Sequence, residues 1–191
     1  MAFVVVYDAC VLHPAPLRDL LVRVGETDLV RVRWTERILD ECFRSIVRPQ
    51  PETDRAAFEK RLERTRGLMN DAIRDVLVRD YEPLEFGLSL PDPDDVHVLA
   101  AAIRAGAQAI ITFNLKDFPA ASTERFGIEA KHPDDFITDL IHLDDGRTMA
   151  RIIEDQARAL RNPPRTVDDL LTTLEKAELK SSVELLRSSR G

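Results

Sequence analysis

The amino-acid sequence predicts an α/β protein, a three-layer fold in which helices flank a central parallel sheet. Residues 3–7 (FVVVY) are a short, continuous apolar run, as expected for a strand that is buried on both faces. Residues 107–114 (AQAIITFN) contain a second such run. Strand-like and helix-like segments alternate up to residue 143, which is typical of a parallel sheet covered by helices.

The first half of the chain supplies two further helices and a strand. A helix begins after Pro16 and ends near Gly25. Residues 29–34 alternate between apolar and polar side chains, which predicts a strand. Residues 35–47 carry an apolar stripe at helical spacing, and residues 54–74 are charged with few apolar positions. We therefore expect a packed helix followed by an outer, exposed one.

The next elements bring polar residues to the start of a helix and to the end of a strand. Residues 76–84 are strand-like at first and then irregular. Asp92 is a good N-cap for a helix that Gly106 ends. The strand at 107–114 follows, and residues 126–131 predict a third short strand of the sheet.

Residues 144–191 are predicted to be a small, all-helical extension of a domain that covers residues 1–143. Its helices are expected at 148–160, 166–179 and 181–188, with a linker at 161–165. The second of them opens with a T-x-x-D sequence that resembles a capping box. Its apolar stripes require burial, either on the first domain, on a second copy in a homodimer, or on a partner protein.

Composition excludes several classes of protein. No apolar run approaches the ~18 residues of a membrane span. No basic region precedes the N-terminal apolar run, so it does not read as a secretory signal. Cys10 and Cys42 form no metal-binding pattern and suggest a reducing compartment, so we expect a cytoplasmic protein. With a net charge of −7, it is a poor passive binder of nucleic acid unless a cation offsets its carboxylates.

Acidic side chains follow the predicted strands and begin the predicted helices. In a parallel sheet, ligands bind outside the carboxyl ends of the strands. Candidate oxygen ligands at that edge are Asp8, the cluster Asp92, Asp94 and Asp95, the pair Asn114 and Asp117, and a helical acid among Glu36, Asp40 and Glu41. Together they would repel one another, and a divalent cation would remove that repulsion.

This donor set indicates phosphoryl-transfer chemistry. Carboxylate-only sites suit Mg²⁺ or Mn²⁺, which keep several waters, activate one of them and stabilise charge on a phosphodiester. Each residue also has a structural interpretation. Asp8, Asn114 and Asp117 can cap turns, Asp92 and Asp95 suit a helix start, and helical acids are usually solvated. His13 and His97 fit surface or packing positions better than ligand positions.

Four segments in chain order resemble the PIN-domain family, in the branch that includes VapC-type toxins of bacterial toxin–antitoxin pairs. They are VVVYDACVL, ILDECFRSI, PDPDDVHVLAAAI and AIITFNLKDFP, and the resemblance covers about residues 3–140. In that family four acidic residues bind Mg²⁺ or Mn²⁺ and the activity is endoribonuclease cleavage. The resemblance therefore implies an RNA substrate, a type II toxin role and a cognate antitoxin that occupies or blocks the site.

Carried over by motif, the resemblance assigns the catalytic and metal-binding roles to Asp8, Glu41, Asp95 and Asp117. Asp92, Asn114 and Thr112 would orient ligands or substrate. Many PIN proteins have an aspartate where this chain has Asn114, so Asp117 is the carboxylate available there.

Two questions stay open at this stage. At ~100° per residue, Glu41 lies beyond the Ile38 edge of the apolar stripe, whereas Glu36 lies nearer the apolar side. A degenerate module that binds a protein or RNA partner is the alternative function, and a phosphatase or DNA nuclease is a third.

Overall fold

The structure, a computed structural model, describes residues 3–189 and has a four-stranded parallel sheet at its centre. The strands are β1 (Val4–Tyr7), β2 (Arg31–Arg33), β3 (Ala109–Ile111) and β4 (Glu129–Lys131). They lie in the order β2-β1-β3-β4, and every neighbouring pair is parallel. The predicted α/β fold is confirmed.

The two continuous apolar runs form the central strands. Val5, Val6 and Tyr7 are all fully buried, and since successive side chains of a strand point to opposite faces, both faces of β1 are covered. All three residues of β3 are buried as well. By contrast, β2 lies at an edge and alternates between the exposed Arg31 and the buried Val32, as its sequence pattern predicts.

The strand predicted from residue 76 is reduced to a single bridge. The backbone N–H of Trp34 donates to Val76 O at 3.1 Å, and the N–H of Val78 donates to Trp34 O at 2.8 Å. Asp75 and Asp80 have positive φ angles of 55° and 57°, so the chain turns on both sides of the paired segment. Those turns leave no room for a longer strand.

Eleven helices surround the sheet in residues 3–189. They are α1 (Ala9–Leu12), α2 (Ala15–Gly25), α3 (Glu36–Val47), α4 (Glu52–Ala72), α5 (Glu82–Glu85), α6 (Val96–Ala105), α7 (Ala120–Thr123), α8 (Pro133–Leu143), α9 (Arg147–Ala159), α10 (Val167–Lys176) and α11 (Lys180–Ser188). Single 3-10 turns cover Pro93–Asp95, Leu115–Asp117 and Glu124–Phe126. Within the described part of the chain, none of these helices is both long and apolar enough to cross a membrane.

Most of the long helices match the predicted ones, but α8 is not among those predicted. Pro133 at its first position and apolar residues at helical spacing do indicate it: Phe136, Ile137, Leu140 and Ile141 are all buried. The short helices α1, α5 and α7 were not predicted either, because a single turn has too few residues to show a period.

The C-terminal helices pack on the rest of the same chain. Met149, Ile153, Leu171 and Leu174 belong to one continuous core with the residues of β1. The side-chain amide of Gln156 in α9 donates to Pro16 O of α2 at 2.9 Å. Of the three predicted ways to bury these stripes, the structure therefore shows burial within the chain. The boundary at residues 143 and 144 stays a prediction.

Candidate active site

A cleft of about 440 Å³ lies at the carboxyl ends of β1 and β3 and contains three of the predicted acids. Asp8 comes directly after β1, Glu41 projects from α3, and Asp95 ends the 3-10 turn before α6. Asn114, which follows β3, lines the same cleft. The parallel sheet thus brings together groups from three distant parts of the chain.

Asp8 is held in place by the strand pairing. One carboxylate oxygen accepts a hydrogen bond from the N–H of Ala9 at 2.6 Å, which caps α1. The other accepts from the Thr112 hydroxyl at 2.7 Å, because β3 pairs with β1 in a register that brings Thr112 beside Asp8. Asp8 is only 4% exposed, yet it still lines the cleft. Asp8 therefore both caps a helix and lines the cleft, so its structural interpretation and its functional interpretation are compatible.

Cys10 completes the support of Asp8 as a neutral thiol. Burial, together with the charge of Asp8, raises the pKa of Cys10 to about 12. Its sulfur lies 3.1 Å from Asp8 Oδ2, to which the thiol donates, and it accepts from the N–H of Phe113 at 3.3 Å. At neutral pH Cys10 is therefore a hydrogen-bonding group rather than a nucleophile.

Asp95 shows that the acids interact. Burial, followed by the charges of Asp8, Asp92 and Asp117, raises the pKa of Asp95 from 3.8 to about 7, and His97 opposes this shift. Three carboxylates therefore lie close enough to Asp95 to disfavour its charged form. A divalent cation among these groups would reverse that preference.

Glu41 has partners that Glu36 and Asp40 lack. Its carboxylate oxygens lie 2.9 and 3.0 Å from Nε2 of His97, which is fully buried. Nδ1 of His97 has no hydrogen-bond partner within residues 3–189, so the tautomer with its proton on Nε2 fits the site. Arg37 also approaches Glu41, at 3.4 Å.

The other two helical acids point away from the cleft. Arg66 of α4 binds Glu36 at 2.5 Å and Asp40 at 2.6 Å. Of the three candidates on α3, only Glu41 lines the cleft. The motif and the helical period disagreed at this point, and the structure places the residue that the motif favours beside Asp8 and Asp95.

His97 is a site neighbour that sequence reasoning placed only among surface or packing residues. It is buried, as a packing residue would be, but its ring also holds Glu41. The two residues are 56 positions apart, so no local spacing could have indicated the contact.

The remaining predicted residues lie around the cleft. Asp117 is half-buried and does not line it, although its charge reaches Asp95. Asp92 is exposed and accepts from the N–H of Asp94 at 2.9 Å, as its structural interpretation expects. The N–H of Asn114 donates to Thr112 at 2.9 Å.

The donor set fits a hard cation that keeps much of its water. The cleft residues offer carboxylate and amide oxygens, which suit Mg²⁺ and Mn²⁺. However, residues 3–189 contain no group of three or more His, Cys, Asp or Glu side chains already spaced to hold a metal ion. Mg²⁺ sites commonly use only one or two carboxylates plus water, and the shared cleft and the raised pKa of Asp95 fit a site of that kind.

Comparison with known proteins divides the chain into two matched parts. Residues 4–116 match the model of the PIN domain family, and residues 133–188 match that of the VapC50 C-terminal domain. A curated protein of Mycobacterium tuberculosis (strain ATCC 25618 / H37Rv), named "Putative ribonuclease VapC50", is 44% identical over 80 residues. The match covers 42% of this chain and 47% of that protein, so the chain spans about half of its length. No solved structure matches the chain.

Proposed function

The chain belongs to the PIN-domain family, and from this premise we propose that it is a metal-dependent endoribonuclease, the toxin of a type II toxin–antitoxin pair. One observation carries the proposal. The pKa of Asp95 is raised to about 7 by burial and by Asp8, Asp92 and Asp117, in a cleft that also contains Glu41. Mutually repelling carboxylates at a sheet edge are what a divalent cation stabilises.

The proposed cofactor is Mg²⁺ or Mn²⁺. PIN-domain nucleases of the VapC type generally use a divalent metal. Asp8, Glu41, Asp95 and Asp117 are the residues proposed to hold it, directly or through water. When bound, the ion would activate water as the nucleophile and stabilise negative charge on the phosphodiester.

The chain's own residues would orient these carboxylates. Thr112 and the N–H of Ala9 fix the two oxygens of Asp8. His97 fixes Glu41, because its buried ring has little freedom to turn. Asn114 and Asp92 are proposed to orient ligands or substrate at the rim. Such preorganisation lowers the cost of placing charge where the reaction requires it.

The proposed partners follow from the family. RNA would be the substrate, and an antitoxin would cover the cleft. We expect the protein to act in the cytoplasm, where its RNA substrate would be. A homodimer stays a prediction.

The test compares Asp8→Asn and Asp95→Asn with the unmodified chain. Each protein is offered single-stranded RNA, DNA and a phosphomonoester, with Mg²⁺, Mn²⁺ or EDTA. We expect only RNA to be cut, only with metal, and only by the unmodified protein. Undiminished RNA cleavage by both variants would remove these carboxylates from the mechanism, and preferential cleavage of DNA or phosphomonoester would change the substrate class.

A second function is favoured by Asn114, which stands at the cleft where many PIN proteins have a carboxylate. In this alternative the chain is a catalytically weak module that binds a protein or RNA partner. Calorimetric titration with Mn²⁺ separates the two. A folded protein that gives no binding heat would support the module.

A further inference from the structure

A second groove, also of about 440 Å³, runs between α3 and α4. Four arginines line it, Arg44, Arg48, Arg55 and Arg66, and the buried Phe43 and Leu62 contribute to its apolar floor. We call it the arginine groove. The arginine groove does not hold the carboxylates of the cleft. The charged side chains that line the groove are mainly positive, whereas those that line the cleft are acidic.

Three of these arginines are available to a ligand. Arg44, Arg48 and Arg55 are exposed, and the side chains of Arg44 and Arg48 have no hydrogen-bond or ion-pair partner within residues 3–189. Arg55 donates only to the backbone carbonyl of Gln50, at 3.2 Å. Arg66, in contrast, binds three carboxylates and lies over the Phe43 ring at 5.2 Å.

The groove keeps a positive excess. Glu59 and Glu63 also line it, against four arginines, and Glu63 lies 3.3 Å from Arg66. The chain as a whole has a net charge of −7. A local excess of arginine in an acidic protein indicates a polyanionic ligand, because guanidinium groups bind phosphate with paired N–H donors.

Helical geometry connects this groove to the acid cleft. At about 100° and 1.5 Å per residue, Arg44 lies about 60° around α3 from Glu41 and about 4.5 Å along the axis. Arg48 lies about 20° around and about 10.5 Å along. Ser45, which lines the cleft, lies about 40° to the other side of Glu41. Arg48 therefore lies nearly in line with Glu41 along α3, and Arg44 lies between that line and the side on which α4 packs.

We propose that the arginine groove binds backbone phosphates of the RNA strand next to the scissile bond. This inference rests on the proposed nuclease function. A stacked strand advances about 3.4 Å per nucleotide, so Arg44 and Arg48 lie about one and three nucleotides from Glu41. RNA is favoured over an acidic peptide because Arg48 lies nearly in line with Glu41 of the cleft, where a polyanion needs compensating positive charge.

The test measures RNA binding rather than cleavage. A fluorescent single-stranded RNA of twelve nucleotides is titrated, in Mg²⁺, with full-length Asp8→Asn protein, with and without Arg44→Gln, Arg48→Gln and Arg55→Gln together. Anisotropy is recorded over a series of KCl concentrations. Each lost phosphate contact should lower the slope of log affinity against log salt by about 0.7, so the triple variant should lose about 2. The weakening should be equal for two unrelated RNA sequences.

Two controls make the result specific. Arg74→Gln removes a 95% exposed arginine that lines neither the cleft nor the groove, and it should leave the slope unchanged. Replacement of the three groove residues by lysine should restore most of the slope, because the charge is kept. Thermal midpoints should be the same in all variants, and with Asp8 kept the three arginine substitutions should leave the Mn²⁺ binding heat unchanged.

An unchanged affinity and slope in the glutamine variant would overturn the groove inference, and if the unmodified chain still cut RNA, the proposed function would stand. If no RNA were bound or cut by any form, both would fail. Binding of a Glu- and Leu-containing peptide that the glutamine variant loses, with RNA affinity unchanged, would make the groove a protein-docking surface and would also overturn the inference.

Discussion

Asp134 is buried and Asp95 is half-buried, and their surroundings shift the pKa values of these two carboxyl groups in opposite directions. Burial alone would raise the pKa of Asp134, but hydrogen bonds from Ser182 and Ser181 outweigh it and the pKa is lowered. Two backbone N–H groups donate at 2.8 and 2.9 Å, and the Ser182 hydroxyl donates at 2.6 Å. Asp95 faces other carboxylates instead, and its pKa rises to about 7.

The contrast separates a structural carboxylate from a candidate ligand. Asp134 joins α8 to the first turn of α11, where free N–H groups and the helix dipole favour a negative charge. Its charge is satisfied by the protein. The negative charge of Asp95 is disfavoured by burial and by neighbouring carboxylates, and a bound cation would stabilise it. Burial raises the pKa of both carboxyl groups, so it does not distinguish them. The hydrogen-bond donors and charges around each group decide the direction of the shift.

The largest expected effect is on catalysis. Asp95→Asn should lower RNA cleavage on the order of a thousandfold, since losing about 4 kcal/mol of charge stabilisation by the metal site corresponds to that factor. Asp134→Asn should leave the rate unchanged at a temperature where the protein is folded. Gel-based cleavage rates at saturating Mn²⁺ check both. Equal loss in the two variants would erase the distinction between them.

The next effect is on stability. Asp134→Ala leaves two N–H groups of α11 without their acceptor, and the free energy of unfolding should fall by about 3 kcal/mol. Asp169→Ala is the matched control. Asp169 completes the capping box of α10 with Thr166 at an exposed position, and its loss should lower the free energy of unfolding by less than the loss of Asp134 does. Urea denaturation followed by circular dichroism measures both, and equal losses would deny Asp134 its special role.

Glu41 is intermediate between Asp134, which has several hydrogen-bond donors, and Asp95, which faces other carboxylates. His97 provides one hydrogen-bonding partner for the Glu41 carboxylate. His97→Ala should weaken Mn²⁺ binding by about 10–100-fold, as loss of a group that orients a ligand typically does. His97→Gln keeps an N–H donor and should recover part of the affinity. Calorimetric titration, alongside a thermal melt, separates positioning from unfolding. If both variants bound Mn²⁺ as tightly as the unmodified chain, Glu41 would not depend on His97.

The smallest effect concerns pH without metal. The raised pKa of Asp95 means that the folded state holds a proton that the unfolded state releases between about pH 4 and 7, so stability falls as pH rises through this window. Asp134 acts in the opposite sense. Its lowered pKa contributes stability that is present above pH 4 and lost as the pH falls below it.

Asp95→Asn should therefore raise the thermal midpoint more at pH 8 than at pH 5. After allowance for solvent screening, we expect about 1 kcal/mol, or about 2–4 °C. Differential scanning fluorimetry in EDTA measures the difference. A midpoint difference that does not vary with pH would show that the charge of Asp95 is not opposed in the folded protein.

The positions of the four strands and of most long helices along the chain could be predicted, because apolar runs, alternation and 3.6-residue stripes indicate burial directly, whereas the order of the strands in the sheet was not predicted. The position of Asp8 at a strand end was predictable for the same reason. The partners of these acids were not. Asp134 bonds to residues 47 and 48 positions away, and the choice between Glu36 and Glu41 depended on Arg66 in another helix. Such contacts depend on how helices pack, which a local pattern does not contain.

The hydrogen bond between Thr112 and Asp8 joins residues 104 positions apart. On the ribosome, the N-terminal carboxylate is made long before the hydroxyl that orients it, and a growing chain has no complete centre until more than half of it has been translated. Contacts so distant in sequence also form slowly. Until that point in translation, a protein proposed to cut RNA lacks the hydroxyl that orients Asp8.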